Sequence, residues 1–207
     1  MRMIENIITP TPINGELDYS APPIIDRFGR SFNYLRFALN EQCNLRCIYC
    51  MPEEGIDFRS EDKLLTTEEI FRLIKLTSKM GVSKIRFTGG EPLLRKDLSE
   101  LVQFAHQCKG IESVHLTTNG LLLSKRIEEL EKSGLSGINI SLDTLDTDKF
   151  KKITRRDGLD MVLNSLQKAL ASNIQSIKLN IVAMRDFNDD ELMDFVELTK
   201  DNDITVR

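Results

Sequence analysis

Cys43, Cys47 and Cys50 fall in one short run, Cys43-Asn44-Leu45-Arg46-Cys47-Ile48-Tyr49-Cys50. Thiolates are soft ligands that select zinc, copper(I) or iron–sulfur clusters. A structural zinc site or an ordinary cubane takes four protein ligands, so three close thiolates are one too few for a closed site. On a 4Fe-4S cluster, three thiolates leave the fourth iron free for a ligand that is not protein. The competing reading is a zinc knuckle, which needs a further donor. The only other cysteine, Cys108, stands two residues after His106 in an expected helix and reads as a small buried apolar residue. A disulfide framework does not suit 207 residues with four cysteines.

A second set of unusual residues follows the cysteines. Gly89 and Gly90 are adjacent, and glycine lets a backbone approach a ligand closely. Free amides there, together with Glu91, suit the head group of a zwitterionic amino acid; the alternative is a plain turn. His106 and His115 read as structural, since nothing pairs either with a nucleophile.

These residues need elements to hold them, and from Tyr34 onward the pattern alternates strand and helix. Strands are expected at Tyr34 to Leu39, Lys84 to Phe87, Val114 to Leu116, Gly137 to Leu142, Ser176 to Ala183 and Ile204 to Arg207. Between them, Thr66 and Glu69 form a capping box for a helix that buries Ile70, Leu73 and Ile74 and stops near Gly81. Asp97 and Glu100 cap a second helix over Leu101, Val102 and Ala105, and Ser124 a short third over Ile127 and Leu130. An excursion through Phe150 leads to a helix carrying Val162, Leu166, Ala169 and Leu170. Asn188 and Glu191 start the last, over Leu192, Phe195 and Val196. Strands separated by helices imply a parallel sheet with right-handed crossovers. At about 30 residues per unit the chain suits a partial six-stranded α/β barrel, with a doubly wound open sheet as the alternative. In parallel barrels chemistry sits at the C-terminal strand ends. There the cysteine loop, Thr88-Gly89-Gly90-Glu91-Pro92, Thr117-Thr118-Asn119-Gly120 and Ser141-Leu142-Asp143 all fall.

Composition bounds the setting. With 41% hydrophobic and 29% charged residues the chain matches an ordinary globular domain with one core. No run approaches the eighteen or so apolar residues of a membrane span. Met1 to Pro23 has Ile pairs interrupted by polar residues and four prolines, neither signal nor transit peptide; residues 1–25 are expected to form an extension on a cytoplasmic protein. A net charge of −4 argues against general nucleic-acid binding, yet a cleft can still focus positive charge on a small anion.

A gap of three residues and then two between cysteines is the spacing of radical S-adenosylmethionine enzymes, which this chain resembles. Further motifs sharpen the likeness: Asp26 to Arg30, Tyr34-Leu35-Arg36, the continuation Met51-Pro52-Glu53-Glu54-Gly55, Arg86 to Arg95, Thr117 to Gly120, and Thr154-Arg155-Arg156-Asp157. In this order they are similar to the GTP 3′,8-cyclase family of molybdenum cofactor biosynthesis, from about Asp26 to Arg207. The resemblance implies that Cys43, Cys47 and Cys50 hold a 4Fe-4S cluster. S-adenosylmethionine on its open iron is then cleaved to a deoxyadenosyl radical that takes hydrogen from the ribose of GTP. It implies that the Tyr49 backbone, Gly90 and Ser141 contact S-adenosylmethionine, to which Glu91 is added on its own chemistry as above. Arg36, Arg86, Thr117 and Lys178 are implied as GTP contacts. Guanidinium forks and an ammonium do suit a triphosphate, although strand alternation aims Arg36, Arg86 and Lys178 at one face only if register permits; otherwise they are surface charges.

The family also carries a C-terminal domain with three more cysteines for a second cluster, whose motifs do not occur here. The expected organisation is therefore the extension, 1–25, and a radical S-adenosylmethionine core, 26–207, as a fragment, a truncated product or half of a split enzyme. The expected partners are GTP, an electron-donor protein and a second copy or separate C-terminal half, with no nucleic acid and no membrane. Two other classes remain open: a different radical S-adenosylmethionine enzyme such as a peptide-modifying maturase, and a non-catalytic iron–sulfur or zinc-binding fragment.

Overall fold

The computed structural model describes residues 22–207, so the expected extension lies outside the described residues as far as residue 21. Residues just beyond it are docked: Ile24 donates its N–H to the carbonyl of Met80 and accepts that of Phe32. Six strands follow, β1 (Tyr34–Ala38), β2 (Lys84–Thr88), β3 (Ser113–Thr118), β4 (Gly137–Ser141), β5 (Ser176–Asn180) and β6 (Ile204–Val206). They pair in sequential order, β1-β2-β3-β4-β5-β6, and every pair is parallel. A doubly wound sheet reverses its strand order midway; this one does not. Successive right-handed crossovers then leave the helices on one side, and the architecture is the partial barrel. Among the described residues β1 and β6 pair only with β2 and β5, so the barrel is open between them.

The helices are α1 (Thr67–Lys79), α2 (Leu98–Gln107), α3 (Leu123–Lys132), α4 (Thr147–Thr154), α5 (Leu159–Leu170) and α6 (Leu192–Glu197). The capping box on α1 forms as read, with Thr66 Oγ1 accepting from Glu69 N and Glu69 Oε2 from Thr66 N. Other caps differ. Asp97 makes no cap; its carboxylate accepts from Thr67 Oγ1 at 2.5 Å and from both ends of the Arg95 fork. Ser124 lies inside α3, where its N–H donates to Ser165 Oγ. Asn188 and Glu191 are drawn inward to brace the end of β4: Asn188 Nδ2 donates to the carbonyls of Asp143 and Val182, and Glu191 accepts from Thr144 and Leu145. The stretch through Phe150 is a full helix, α4, capped by Asp146, which accepts from Lys149 N at 2.8 Å.

Alternation sorts the sheet into two faces. Phe37, Ile85, Phe87, Leu116, Ile138 and Leu179 turn outward and are buried under Ile70, Ile74, Leu101, Val102, Leu130, Val162 and Phe195 of the helices. Fully burying one such side chain contributes about 1.5–3 kcal/mol, so this layer dominates the fold. The inner face is polar, and it is where the registers matter. No helix among the described residues is long and apolar enough to cross a membrane.

Candidate functional site

The cysteine loop leaves β1 still paired to the chain beyond β2. Leu39 N donates to Thr88 O (2.8 Å), Gly90 N to Asn40 O (2.9 Å) and Glu91 N to Gln42 O (2.7 Å). This approach explains the glycine pair. A Cβ on Gly90 would lie 2.2 Å from the carbonyl oxygen of Gln42 and 2.5 Å from that of Glu41. The close approach that the glycine permits is therefore to the protein's own backbone.

Glu91 likewise bonds to the protein's own groups. It is fully buried, and its oxygens accept from Leu93 N, Thr118 Oγ1 and Asn119 N at 2.8–2.9 Å. Burial raises its carboxyl pKa while these donors pull it back down. The carboxylate ties the strand-two loop to the strand-three loop.

The cysteine loop is fastened to three other elements. Arg46 N and Ile48 N donate to the carbonyls of Thr154 and Ile153 at the end of α4, both at 2.9 Å. Arg155 Nη1 reaches back to the carbonyls of Met51 and Arg46. Tyr49 Oη donates to Asp143 Oδ2 at 2.5 Å, and Asp143 Oδ1 accepts from Val182 N, joining the loop to the ends of β4 and β5. From β3, Asn119 Nδ2 bonds Asn44 Oδ1 at 2.7 Å and approaches Cys43 Sγ at 3.8 Å.

All four cysteines are unpaired; Cys43 and Cys47 are half-buried and Cys50 is exposed. Burial pushes the Cys47 thiol up to about 11, aided by the neighbouring Cys43, Asp143 and Cys50. Burial likewise raises Cys43, with Glu91 and Cys50 adding to it. Burial and then Asp143 push the Tyr49 phenol up. Among the described residues no three His, Cys, Asp or Glu side chains converge at metal-ligating geometry. The donor set nevertheless fits a metal cluster: the thiols of Cys43 and Cys47 are raised by burial and by the charge of neighbouring thiols, and no cation offsets this. A cationic cluster is what would stabilise their thiolates, and Leu45 N, 3.5 Å from Cys43 Sγ, and Asn119 Nδ2 are donors toward the sulfur.

The inner face of the sheet holds a cleft of about 350 Å³ lined by Tyr34, Arg36, Lys84, Arg86, Thr88, Thr117, Asn139, Lys178, Asn180 and Arg207. Register places the charges there. Arg36 lies opposite Arg86, and Thr117, Asn139 and Lys178 form one row across β3, β4 and β5. All four residues expected to contact a nucleotide thus share one cleft. The Tyr34 hydroxyl accepts from Arg86 Nε (2.7 Å) and Arg36 Nε (3.0 Å), holding two guanidinium groups side by side, and Arg86 Nη1 donates onward to Leu116 O and Thr117 Oγ1. Among the described residues none of the five cations lining this cleft pairs with a carboxylate. Unpaired positive charge gathered in a concavity is built to be neutralised by an anion. His115, beside Arg86 in register, feels this field: burial first, then Lys84, Arg86 and Lys178, lower its pKa to about 4.

The cleft and the cysteine loop approach each other at the ends of β3 and β4. A small cavity of about 40 Å³ is lined by Cys47, Tyr49, Asn119, Ser141 and Asp143. Thr117 and Asn119, and likewise Asn139 and Ser141, are two residues apart, which on a strand is about 6–7 Å. The sequence reading gave Tyr34 and Lys84 no part in binding and left open whether Arg207 contacts substrate; all three line the cleft. Lys84 and Tyr34 were recoverable, since each lies two residues before an arginine already singled out and so shares its face.

A family model described as the Radical SAM superfamily matches residues 39–199. "Molybdenum cofactor biosynthesis protein 1" of Dictyostelium discoideum is 51% identical over 184 residues, 89% of this chain and 29% of that protein. "GTP 3′,8-cyclase" of Clostridium botulinum is 47% identical, again over 89% of this chain and 58% of that protein. The chain thus spans between 29% and 58% of the length of these two relatives. Among solved structures, methylornithine synthase superposes with a TM-score of 0.65 at 19% identity, covering 84% of this chain and 52% of that one. Streptococcus suis SuiB bound to S-adenosylmethionine superposes at 0.64 and 15% identity, covering 84% and 50%. At such identities these two speak for the fold alone.

Proposed function

The chain belongs to the Radical SAM superfamily, and from that membership we propose that it is the barrel portion of a GTP 3′,8-cyclase. That enzyme converts GTP to (8S)-3′,8-cyclo-7,8-dihydroguanosine 5′-triphosphate in molybdenum cofactor biosynthesis. The observation that carries this reading is the cleft of five unpaired cations sharing two strands with a loop of three free thiols. The names of the relatives at 47–51% identity agree with it.

In this reading residues 26–207 are one core domain, and the second-cluster domain of the family lies outside this sequence. Cys43, Cys47 and Cys50 hold a 4Fe-4S cluster, with S-adenosylmethionine against the Tyr49 backbone, Gly90 and Ser141. When bound, the cluster supplies the single electron that cleaves S-adenosylmethionine and so yields the hydrogen-abstracting species. The rest is positioning. Arg36, Lys84, Arg86, Lys178 and Arg207 take the triphosphate by charge-assisted hydrogen bonds. Tyr34 keeps two of the guanidinium groups parallel, and Thr117 and Asn139 set the depth at which the ribose meets the loop. An error of about 1 Å in that depth can cost a hundredfold in rate. Four unpaired cysteines and an electron-donor protein suit the reducing cytoplasm.

Binding separates this from other radical S-adenosylmethionine chemistry. Under anaerobic conditions GTP and triphosphate should bind while guanosine does not. Arg86→Leu should weaken GTP by about 10- to 100-fold, the equivalent of roughly 1.5–3 kcal/mol for a charged hydrogen bond. Equal binding of guanosine and GTP, or unchanged affinity in Arg86→Leu, would overturn the assignment of the cleft.

A further inference from the structure

Arg155 ends α4 in the left-handed region, with φ 55°. Glycine enters that region freely and is the usual residue at a helix end of this kind; other L-residues avoid it. An arginine there carries strain that contacts of its side chain must offset. Those contacts all go to the cysteine loop. Nη1 donates to Met51 O at 2.9 Å and to Arg46 O at 3.3 Å, and Nε lies 4.0 Å from Glu53 Oε2. The two carbonyls stand just before Cys47 and just after Cys50.

The end of α4 therefore holds the loop in two ways. Backbone carbonyls of Thr154 and Ile153 hold Arg46 N and Ile48 N, and these persist whatever side chain residue 155 carries. At the exit, Met51 N bonds only within the loop, to Cys47 O. Among the described residues, the hydrogen bond joining Met51 to another element is the one from Arg155. Cys50 N, like Met51 N, bonds to Cys47 O, so without the Arg155 bond the turn from Tyr49 to Met51 would be held to other elements only through Tyr49 Oη on Asp143 and could pivot there, carrying the exposed Cys50 with it.

We propose that Arg155 is a positioning residue for the cysteine loop, fixing its exit at Met51 so that Cys50 stands in register with Cys43 and Cys47 for a shared cluster. This rests on the reading of the loop as the cluster site. The role is conformational: the guanidinium is a tether, and it touches neither the thiols nor the cleft in any contact described above.

Two variants of the full chain test it. Arg155→Gly removes the guanidinium and relieves the backbone, so the melting temperature should be at or above that of the parent. Arg155→Lys keeps a cation, and because both described bonds start from the single atom Nη1, one ammonium can replace them. The readout is amide hydrogen exchange at Cys50 and Met51, whose N–H groups bond to Cys47 O, in the reduced, cluster-free protein. Arg155→Gly should exchange at least about tenfold faster there, with the rest of the barrel unchanged, and Arg155→Lys should return to within about threefold of the parent. After anaerobic loading with iron and sulfide, Arg155→Gly should hold less iron per chain than the parent and Arg155→Lys as much. Unchanged exchange at Cys50 and Met51 in Arg155→Gly would overturn the proposal. Failure of the parent itself to take up iron would instead overturn the cluster reading, and with it the purpose assigned to the tether, even if the exchange result held.

Discussion

Gly90→Ala tests what the glycine pair is for. The added methyl would sit 2.2 Å from Gln42 O and 2.5 Å from Glu41 O, well inside van der Waals contact. Both atoms are main chain and cannot swing aside, so the loop must part from the chain after β2. Parting strains or breaks the bonds from Gly90 N to Asn40 O and from Glu91 N to Gln42 O, each worth about 1 kcal/mol. Overpacking adds about 1–3 kcal/mol, for a total of about 3–5 kcal/mol. For a domain of this size 1 kcal/mol shifts the melting temperature by about 2–4 °C, so a fall of about 6–20 °C is expected. The assay is thermal unfolding of the reduced, cluster-free chain followed by circular dichroism. Gly29→Ala serves as the control, since Gly29 has φ 79° but nothing within 4 Å of its Cβ position. A Gly90→Ala protein no less stable than Gly29→Ala would refute the reasoning. So would a defect that emerges only when S-adenosylmethionine is added, which would show that the methyl obstructs the cofactor and not the backbone of the cysteine loop.

Two further outcomes are expected. Cys47→Ala should lose the iron bound after anaerobic reconstitution, whereas Cys108→Ala, at the end of α2 beside Ser78, should keep it; iron analysis that fails to separate the two would remove the loop from metal binding. His115 has a folded pKa of about 4 against 6.5 for the free residue, so as pH falls from 6.5 toward 4 the unfolded chain takes up a proton that the folded chain refuses. Stability should therefore drop across that window by up to about 3 kcal/mol, and urea midpoints of His115→Gln should lack this part of the slope.

The strand–helix rhythm, the α1 capping box and the inner polar positions were legible because each depends on neighbours a few residues away. Caps failed where a distant partner outbid the local one. Asp97 turned to Arg95 and Thr67, and Asn188 turned to β4 and β5. The helix α4 was missed although Asp146 marks its start, because only eight residues separate its ends and its apolar face is short. Gly90 and Glu91 also pack on the chain that follows β1 and β3, contacts of tertiary approach that no spacing reveals. That Arg36, Arg86 and Lys178 share a cleft needed the register of β1 through β5, which alternation alone leaves free.

The anchors of the cysteine loop set a timetable for its maturation. Its ties to Arg155 and Asp143 span 109 and 94 residues of sequence. A ribosome adding about 5–20 residues per second needs roughly 5–20 s to cover such a distance. For that interval Cys43, Cys47 and Cys50 have emerged while the groups that fasten their loop have not yet been made. The nascent chain must keep three neighbouring thiols reduced and unclaimed until α4 closes over them, so the loop is synthesised well before it is secured.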